Sequence, residues 1–117
     1  SRRQAISVIV LIEGRFGAAD GSRLSMFSGR DGASVSVHEY FKQDATPLFT
    51  ATEPVLRRHQ GRPHWGKLHS LGAEELRALY PRFDDFLALR REMDPRGRLL
   101  NAHLRHLFGI NGKGPTA

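Results

Sequence analysis

Residues 33–56, ASVSVHEYFKQDATPLFTATEPVL, contain the point at which the chain changes from strand-like to helix-like patterning. Through residues 33–41 apolar and polar side chains alternate, as they do in a β-strand with one buried face. After residue 44 the period changes, and residues 46–60 carry apolar side chains at helical spacing. The sequence therefore predicts a strand followed by a helix at this point.

The prolines and glycines of this segment predict where the helix begins and ends. Thr46 suits the N-cap position, and Pro47 suits the first helical residue. Pro54 lies inside the pattern, where a proline removes one backbone hydrogen bond, so we expect it to kink or delay the helix. Gly61 and Pro63 are expected to end this element.

A second strand-like segment lies upstream. Residues 5–16, AISVIVLIEGRF, open with a β-branched run that is apolar on both faces until Glu13, which indicates a central strand. The connection to the next strand is long and rich in Gly, Ser and Asp. It holds either a short strand near residues 24–27 or a functional loop.

Three shorter helices are predicted in the second half of the chain. Residues 72–80 and 81–93 each show helical spacing, and a proline separates them. A last helix begins at Asn101, which suits an N-cap, and ends at Gly109, which suits left-handed backbone. Residues 110–117 are expected to form a frayed tail. The side chains expected to be buried in the second of these helices are Phe83, Phe86, Leu87 and Met93.

The order of these elements predicts the fold class. Strands come first and helices later, which favours an α+β fold, with a small antiparallel sheet followed by C-terminal helices. Two or three strands are few for a stable sheet. We therefore expect the sheet to continue into chain that this sequence does not contain.

Length and composition exclude several classes of protein. The chain has 117 residues, which fits one domain or part of one. Its longest apolar run, residues 8–12, is too short to cross a bilayer, so we expect no membrane span. The absence of cysteine excludes a disulfide framework and a cysteine nucleophile, and it favours a reducing compartment. We therefore expect a cytoplasmic location.

The chain is basic: its 15 arginines and three lysines, against 12 acidic residues, give a net charge of +6. Such a charge permits nucleic-acid binding, but the arginines are spread along the chain and aromatic residues do not alternate with them. A solvated basic surface is the simpler interpretation, and no nucleic-acid partner is expected. A small basic nucleic-acid-binding module and a self-assembling module without catalysis stay as alternatives.

Residues 62–69, RPHWGKLH, form the densest group of polar and aromatic side chains. Gly66 permits either a close backbone approach or a positive φ angle. One interpretation is a surface turn with Trp65, the only tryptophan, packed on the core. The other is a binding site in which Lys67 pairs with an anion.

Glu13 and Arg15 form a second polar group. Side chains two residues apart on a strand point the same way, so this carboxylate and guanidinium share a face. They can form a salt bridge with each other, or converge on a polyhydroxylated ligand. His103 and His106 have helical spacing that suits a shared metal, but no third ligand has a recognisable spacing, so no metal site is expected.

Several motifs together resemble the sugar-lactone oxidase family. They are HWGK at residues 64–67, LYPRFDDF at 79–86 and DPRGRLLN at 94–101, and upstream IEGRFGAADGSRLSMFSGRDG at 12–32. That family includes D-arabinono-1,4-lactone oxidase, L-gulono-1,4-lactone oxidase or dehydrogenase, and alditol oxidase, flavoenzymes of the vanillyl-alcohol oxidase type. The resemblance covers nearly the whole chain and is to the C-terminal end of the family's members.

The resemblance implies an activity and a set of site residues. Members oxidise a hydroxyl-bearing carbon of a sugar-1,4-lactone or polyol and pass hydride to N5 of FAD. Matching positions imply that Glu13 and Arg15 bind substrate, and that Lys67 is catalytic and also contacts substrate. They place three further residues on the cofactor side, in supporting roles: His64, Trp65 and Asn101.

The resemblance also implies what surrounds this chain. Residues 1–109 correspond to a cap or substrate-binding portion, and FAD is held mainly by an N-terminal FAD-binding domain that this sequence lacks. That domain is the expected partner, and the isolated chain is expected to be inactive. Ser28 stands where the family usually has an aromatic residue, and Gly32 where it usually has serine, which leaves the choice of substrate open.

Overall fold

Two antiparallel strands precede four helices in the computed structural model, which describes residues 12–110. Strand β1 spans Ile12–Gly17 and strand β2 spans Gly32–Val37. The helices are α1 (Thr46–Arg58), α2 (Ala73–Leu79), α3 (Phe83–Met93) and α4 (Ala102–Phe108). The predicted α+β class with C-terminal helices is confirmed. The rest of the first predicted strand, residues 5–11, lies outside the described residues.

The two strands form a sheet with one apolar and one polar face. Their register runs from Ile12 opposite Val37 to Gly17 opposite Gly32. Ile12, Phe16 and Val35 therefore share one face, and they are 65%, 96% and 47% exposed. The prediction of a buried face on the second strand is wrong for Val35. This strand also ends at Val37, four residues earlier than predicted.

The apolar face is exposed because no described helix covers it. Strand β1 packs against β2, and helix α2 packs against both α3 and α4. A β-strand pattern predicts which side chains share a face, but burial needs a partner for that face. Within residues 12–110 the sheet has none.

The connection between the strands is a loop of turns rather than a short strand. The Asp20 carboxylate accepts hydrogen bonds from the Ser22 amide, at 2.8 Å, and from the Ser25 hydroxyl. These bonds, that of Ser25 first, lower the pKa of Asp20. The Phe27 ring of this loop lies against Gly17. A Cβ atom on Gly17 would be only 2.6 Å from that ring. Of the two alternatives for residues 24–27, the strand is excluded.

Helix α1 departs from its prediction at two points. Its N-cap is Ala45 rather than Thr46, and the Asp44 carboxylate accepts a hydrogen bond from the Thr46 amide at 2.9 Å. Helical residues continue through Pro54 to Arg58, so the proline does not delay the helix. The helix ends as expected near Gly61, whose amide donates to the Leu56 carbonyl at 2.9 Å.

The core lies among the last three helices. Leu24, of the loop between the strands, and Ile110 pack against it, although Ile110 was predicted to belong to a frayed tail. The remaining tail residues, 111–117, lie outside the described residues. Met93, the last residue of α3, was predicted to be buried but is 78% exposed. The buried core residues are Leu71, Leu76, Tyr80, Phe83, Leu107 and Phe108.

The ends of α4 follow the sequence closely. The Asn101 side chain accepts a hydrogen bond from the Leu104 amide at 2.8 Å, and so caps the helix. Gly109 ends it with a φ of 64°, in the left-handed region that glycine tolerates best. Both predictions are confirmed.

Arg62 joins the loop between the strands to the helices. Its Nε donates to the Leu79 carbonyl at 2.7 Å, at the end of α2. Its Nη1 donates to the carbonyls of Ser28, at 2.6 Å, and Met26, at 3.2 Å. The guanidinium also lies over the Tyr80 ring, with Cζ 5.9 Å from the centroid. Burial lowers the pKa of Arg62.

Replacing Arg62 with lysine should lower the free energy of unfolding by about 2 kcal/mol, because an ammonium cannot reach all three carbonyls at once. Urea unfolding followed by circular dichroism measures this. The control is Arg91→Lys, an exposed position whose side chain makes no hydrogen bond within residues 12–110. It should change stability by less than about 0.5 kcal/mol. Equal losses in the two variants would contradict the role of Arg62.

Candidate functional site

The turn that carries Lys67 lies between α1 and α2. The Lys67 amide donates to the His64 carbonyl at 2.9 Å, and the Gly66 amide donates to Nδ1 of the His64 ring at 3.1 Å. A Cβ on Gly66 would be 3.2 Å from Cε1 of that ring. The φ angle of Gly66 is not positive. Of the two roles predicted for Gly66, the structure shows the close approach of its backbone, here to the His64 ring.

Trp65 attaches this turn to the core. Its indole stacks with the His64 ring, with centroids 6.1 Å apart and planes 19° apart. On the core side it packs near Phe108, at a centroid distance of 6.5 Å. The Tyr80 hydroxyl donates a hydrogen bond to the Pro63 carbonyl, which holds the chain just before the turn. Sequence reasoning missed Tyr80, because nothing in its local pattern shows which carbonyl its hydroxyl reaches.

Lys67 itself is exposed at the end of this anchored turn. Its ammonium forms no ion pair within residues 12–110, where the five ion pairs all involve arginine. The next residue, Leu68, is also exposed. Within residues 12–110 the structure therefore presents a cation without an ion-pair partner, on a firmly supported loop. Such a group suits the binding of an anionic or electron-rich ligand.

Glu13 and Arg15 lie together on the polar face of the sheet. Arg15 Nε and Glu13 Oε1 are 2.5 Å apart, so the predicted salt bridge is present, and both side chains are partly exposed. Across the sheet, Ser36 lies opposite Glu13 and Ser34 lies opposite Arg15. Alternation along β2 placed the two serines on one face, but only the register shows that they share it with the ion pair. This face therefore combines an anion, a cation and two hydroxyl groups.

The described residues do not join the predicted site residues into one cluster. His64, Trp65 and Lys67 form the turn, whereas Asn101 caps α4. No hydrogen bond or ion pair in residues 12–110 connects either group to the ion pair of β1. Two open cavities, of about 490 and 390 Å³, lie beside α2, α3 and α4, and none of the predicted site residues lines them.

The described residues contain neither a grouped set of metal ligands nor a membrane-spanning helix. Within residues 12–110, no three or more His, Asp or Glu side chains are grouped as metal ligands would be. His103 and His106 therefore have no third ligand there. None of the helices in the described part of the chain has the length and apolarity needed to cross a membrane.

Comparison with known proteins agrees with these motifs. The profile of a family described as D-arabinono-1,4-lactone oxidase matches residues 1–107. L-gulono-1,4-lactone dehydrogenase of Mycobacterium tuberculosis is 40% identical over 108 residues, which cover 92% of this chain and 25% of that protein. Alditol oxidase of a Streptomyces species is 40% identical over 104 residues, covering 86% and 25% respectively. L-gulonolactone oxidase of Bos taurus is 34% identical over 101 residues, covering 83% and 23%.

The relatives that this chain matches are named as one class of oxidoreductases, the lactone and alditol oxidases and dehydrogenases. The chain belongs to the D-arabinono-1,4-lactone oxidase family. The resemblance found in the motifs is confirmed. The chain spans about a quarter of the length of the curated relatives it matches.

Tyr80 should make stability depend on pH above pH 10. Burial raises the pKa of its hydroxyl to about 12, from 10.0 in an unfolded chain. The folded state therefore holds this proton more tightly, and the stabilisation is complete below pH 10. It is lost as the pH rises through 12, which should lower the free energy of unfolding by roughly 2 kcal/mol.

Urea unfolding at pH 9 and near pH 12 measures this dependence. The control is Tyr80→Phe, which lacks the hydroxyl and its bond to the Pro63 carbonyl. It should be less stable at pH 9 and should lose less stability on the change to high pH. The same pH dependence in both proteins would show that Tyr80 is not the titrating group.

Proposed function

We propose that this chain forms the substrate-binding part of an FAD-dependent oxidoreductase, which oxidises a hydroxyl-bearing carbon of a sugar-1,4-lactone or an alditol. The observation that carries the proposal is the exposed Lys67, which has no ion-pair partner among the described residues and lies on a turn anchored to the core, in a chain of this family. The names of the relatives support lactones and alditols as the substrate class.

The residue types of the Lys67 turn and of the α4 cap fit a flavin. Its ammonium has no ion-pair partner within residues 12–110 and would lie against the ring, where it favours negative charge. His64 would act in support, because its ring and its carbonyl accept hydrogen bonds from the backbone of this turn. The Asn101 side-chain oxygen holds the Leu104 amide, which leaves its NH₂ group to donate to a ring carbonyl. FAD, when bound, supplies the acceptor for the hydride that leaves the substrate carbon.

The chain's own residues would bind and orient the substrate. A lactone or alditol presents several hydroxyl groups, which both donate and accept hydrogen bonds. The Arg15 guanidinium would donate to hydroxyl oxygens, and the Glu13 carboxylate would accept from hydroxyl groups. Both groups project from one face of a strand, so they would hold the substrate in few orientations. Lys67 would stabilise negative charge on the oxygen of the reacting carbon.

We further propose that an FAD-binding domain covers the exposed apolar side chains. Large apolar groups are exposed on the sheet, in the segment before α1, on α1, at the end of α3 and in the loops beside the helices. Examples are Phe16, Phe41, Leu68 and Leu99. Ile12, Phe16 and Val35 share one face of the sheet, and a contiguous exposed apolar patch is typical of a surface that a partner covers.

A chimeric enzyme tests the proposed function. In L-gulono-1,4-lactone dehydrogenase of Mycobacterium tuberculosis, the segment that this chain matches is replaced by this chain. The chimera is loaded with FAD, and flavin absorbance is followed as lactones or alditols are added with oxygen excluded. Loss of absorbance with one of these substrates is the expected result. A chimera that binds FAD but is reduced by none of them, while the parent enzyme is reduced, would contradict the proposal.

Lys67→Met in this chimera should lower kcat by about a hundredfold, the size expected when one charge-stabilising donor is removed. The matched control is Lys42→Met, because Lys42 is the other lysine of the described residues and lies over the Phe41 ring in the segment before α1. It should leave kcat unchanged. Equal kcat values in the two variants would remove Lys67 from the proposed mechanism.

Glu13→Gln and Arg15→Lys should mainly raise KM, because each keeps the size of the side chain but weakens its hydrogen bonds to substrate hydroxyls. Steady-state kinetics with L-gulono-1,4-lactone and xylitol measures the change. The control is Glu74→Gln, on the exposed surface of α2. Unchanged KM for both substrates in the β1 variants would show that this face does not bind substrate.

A further inference from the structure

His64 makes two hydrogen bonds that determine the path of the chain to Lys67. Its ring Nδ1 accepts from the Gly66 amide at 3.1 Å, and its backbone carbonyl accepts from the Lys67 amide at 2.9 Å. The amide groups of Gly66 and Lys67 are therefore both hydrogen-bonded to His64. A neutral imidazole that accepts at Nδ1 carries its proton on Nε2.

The His64 ring is itself held in place. It stacks with the indole of Trp65, which packs near Phe108 in the core. On another side it lies against Gly66, where a Cβ would be 3.2 Å from Cε1. The ring thus connects the core to the amide group directly before Lys67. Movement of the ring would move the turn.

We propose that His64 is a positioning residue, which sets the turn that presents Lys67 through its Nδ1 acceptor. The use of this turn in catalysis rests on the proposed function. The turn geometry itself does not, since it is formed by bonds within this chain. His64 then acts on the reaction through the backbone of Gly66 and Lys67.

The chemistry of the bond suggests two informative substitutions. In asparagine, the side-chain oxygen is separated from Cβ by the same number of bonds as Nδ1 in histidine, and asparagine readily accepts from the amide two residues later. His64→Asn should therefore keep the bond. His64→Phe keeps a flat ring beside Trp65 but has no acceptor, so it should lose the bond.

The chain contains a matched control for this arrangement. Nδ1 of His69 accepts from the Leu71 amide at 3.2 Å, which is the same two-residue bond outside the Lys67 turn. His69→Phe should release the Leu71 amide and leave Gly66 unaffected. A ring substitution that acts only by disturbing the loop in general would affect both amides.

The first experiment uses the full chain without any cofactor. Solvent exchange of the Gly66 amide, measured by nuclear magnetic resonance, should be about five- to tenfold faster in His64→Phe, which corresponds to the loss of one hydrogen bond. In His64→Asn it should stay within about twofold of the wild type. Unchanged Gly66 exchange in His64→Phe, or the same increase in His69→Phe, would overturn the proposal.

The second experiment measures turnover in the FAD-loaded chimera. His64→Phe should lower kcat by about five- to tenfold with little change in KM, and His64→Asn should restore it. In a Lys67→Met background, His64→Phe should cause no further loss, because the positioned group is gone. Additive losses would overturn the proposal. A wild-type chimera that binds FAD but is not reduced, while the parent enzyme is, contradicts the proposed function, whereas the amide measurements still support or overturn the role of His64 in the turn.

Discussion

The guanidinium of Arg62 connects parts of the chain that otherwise have few contacts. It donates to carbonyls of the loop between the strands and to the carbonyl of Leu79 at the end of α2. Arg82 and Arg30 make similar bonds, to the carbonyls of Gly21 and Gln60, both at 2.7 Å. These side chains replace the apolar packing that the exposed sheet does not provide. They also show why a basic chain can use its charge within its own fold, because a guanidinium can satisfy several carbonyls at once.

The supported loop around Lys67 depends on the same contacts. Arg62 lies over the Tyr80 ring, and the Tyr80 hydroxyl holds the Pro63 carbonyl, so the chain enters the turn from a restrained position. Trp65 then returns to the core, while Lys67 stays exposed. The rigid part of the site is therefore its backbone, and the charged group has no partner within residues 12–110 that a ligand must displace. This combination favours binding without a large reorganisation cost.

The features that could be predicted from the sequence are those that depend on residues close together in the chain. The cap of α4 at Asn101 and its end at Gly109 follow from local hydrogen bonding and backbone freedom, and both were predicted. The exposure of Val35 depends on whether another element covers its face of the sheet. The position of the two serines opposite the ion pair depends on how the strands pair. The alternation of apolar and polar residues shows neither. The motifs indicated Lys67 and Arg15 as site residues. The bonds that support the lysine turn became visible only in the structure.

A ligand that binds the ion pair on β1 must displace an existing bond, whereas Lys67 has no ion-pair partner within residues 12–110. Arg15 and Glu13 bind each other at 2.5 Å, but both side chains are partly exposed, and an exposed pair contributes less than about 1 kcal/mol to stability. A polyhydroxylated ligand can therefore exchange that bond for several of its own at little cost. The serines beside the pair, Ser34 and Ser36, add groups that both donate and accept. The polar face of the sheet is thus suited to a ligand with many hydroxyl groups, because every group on it has a complementary partner in such a ligand.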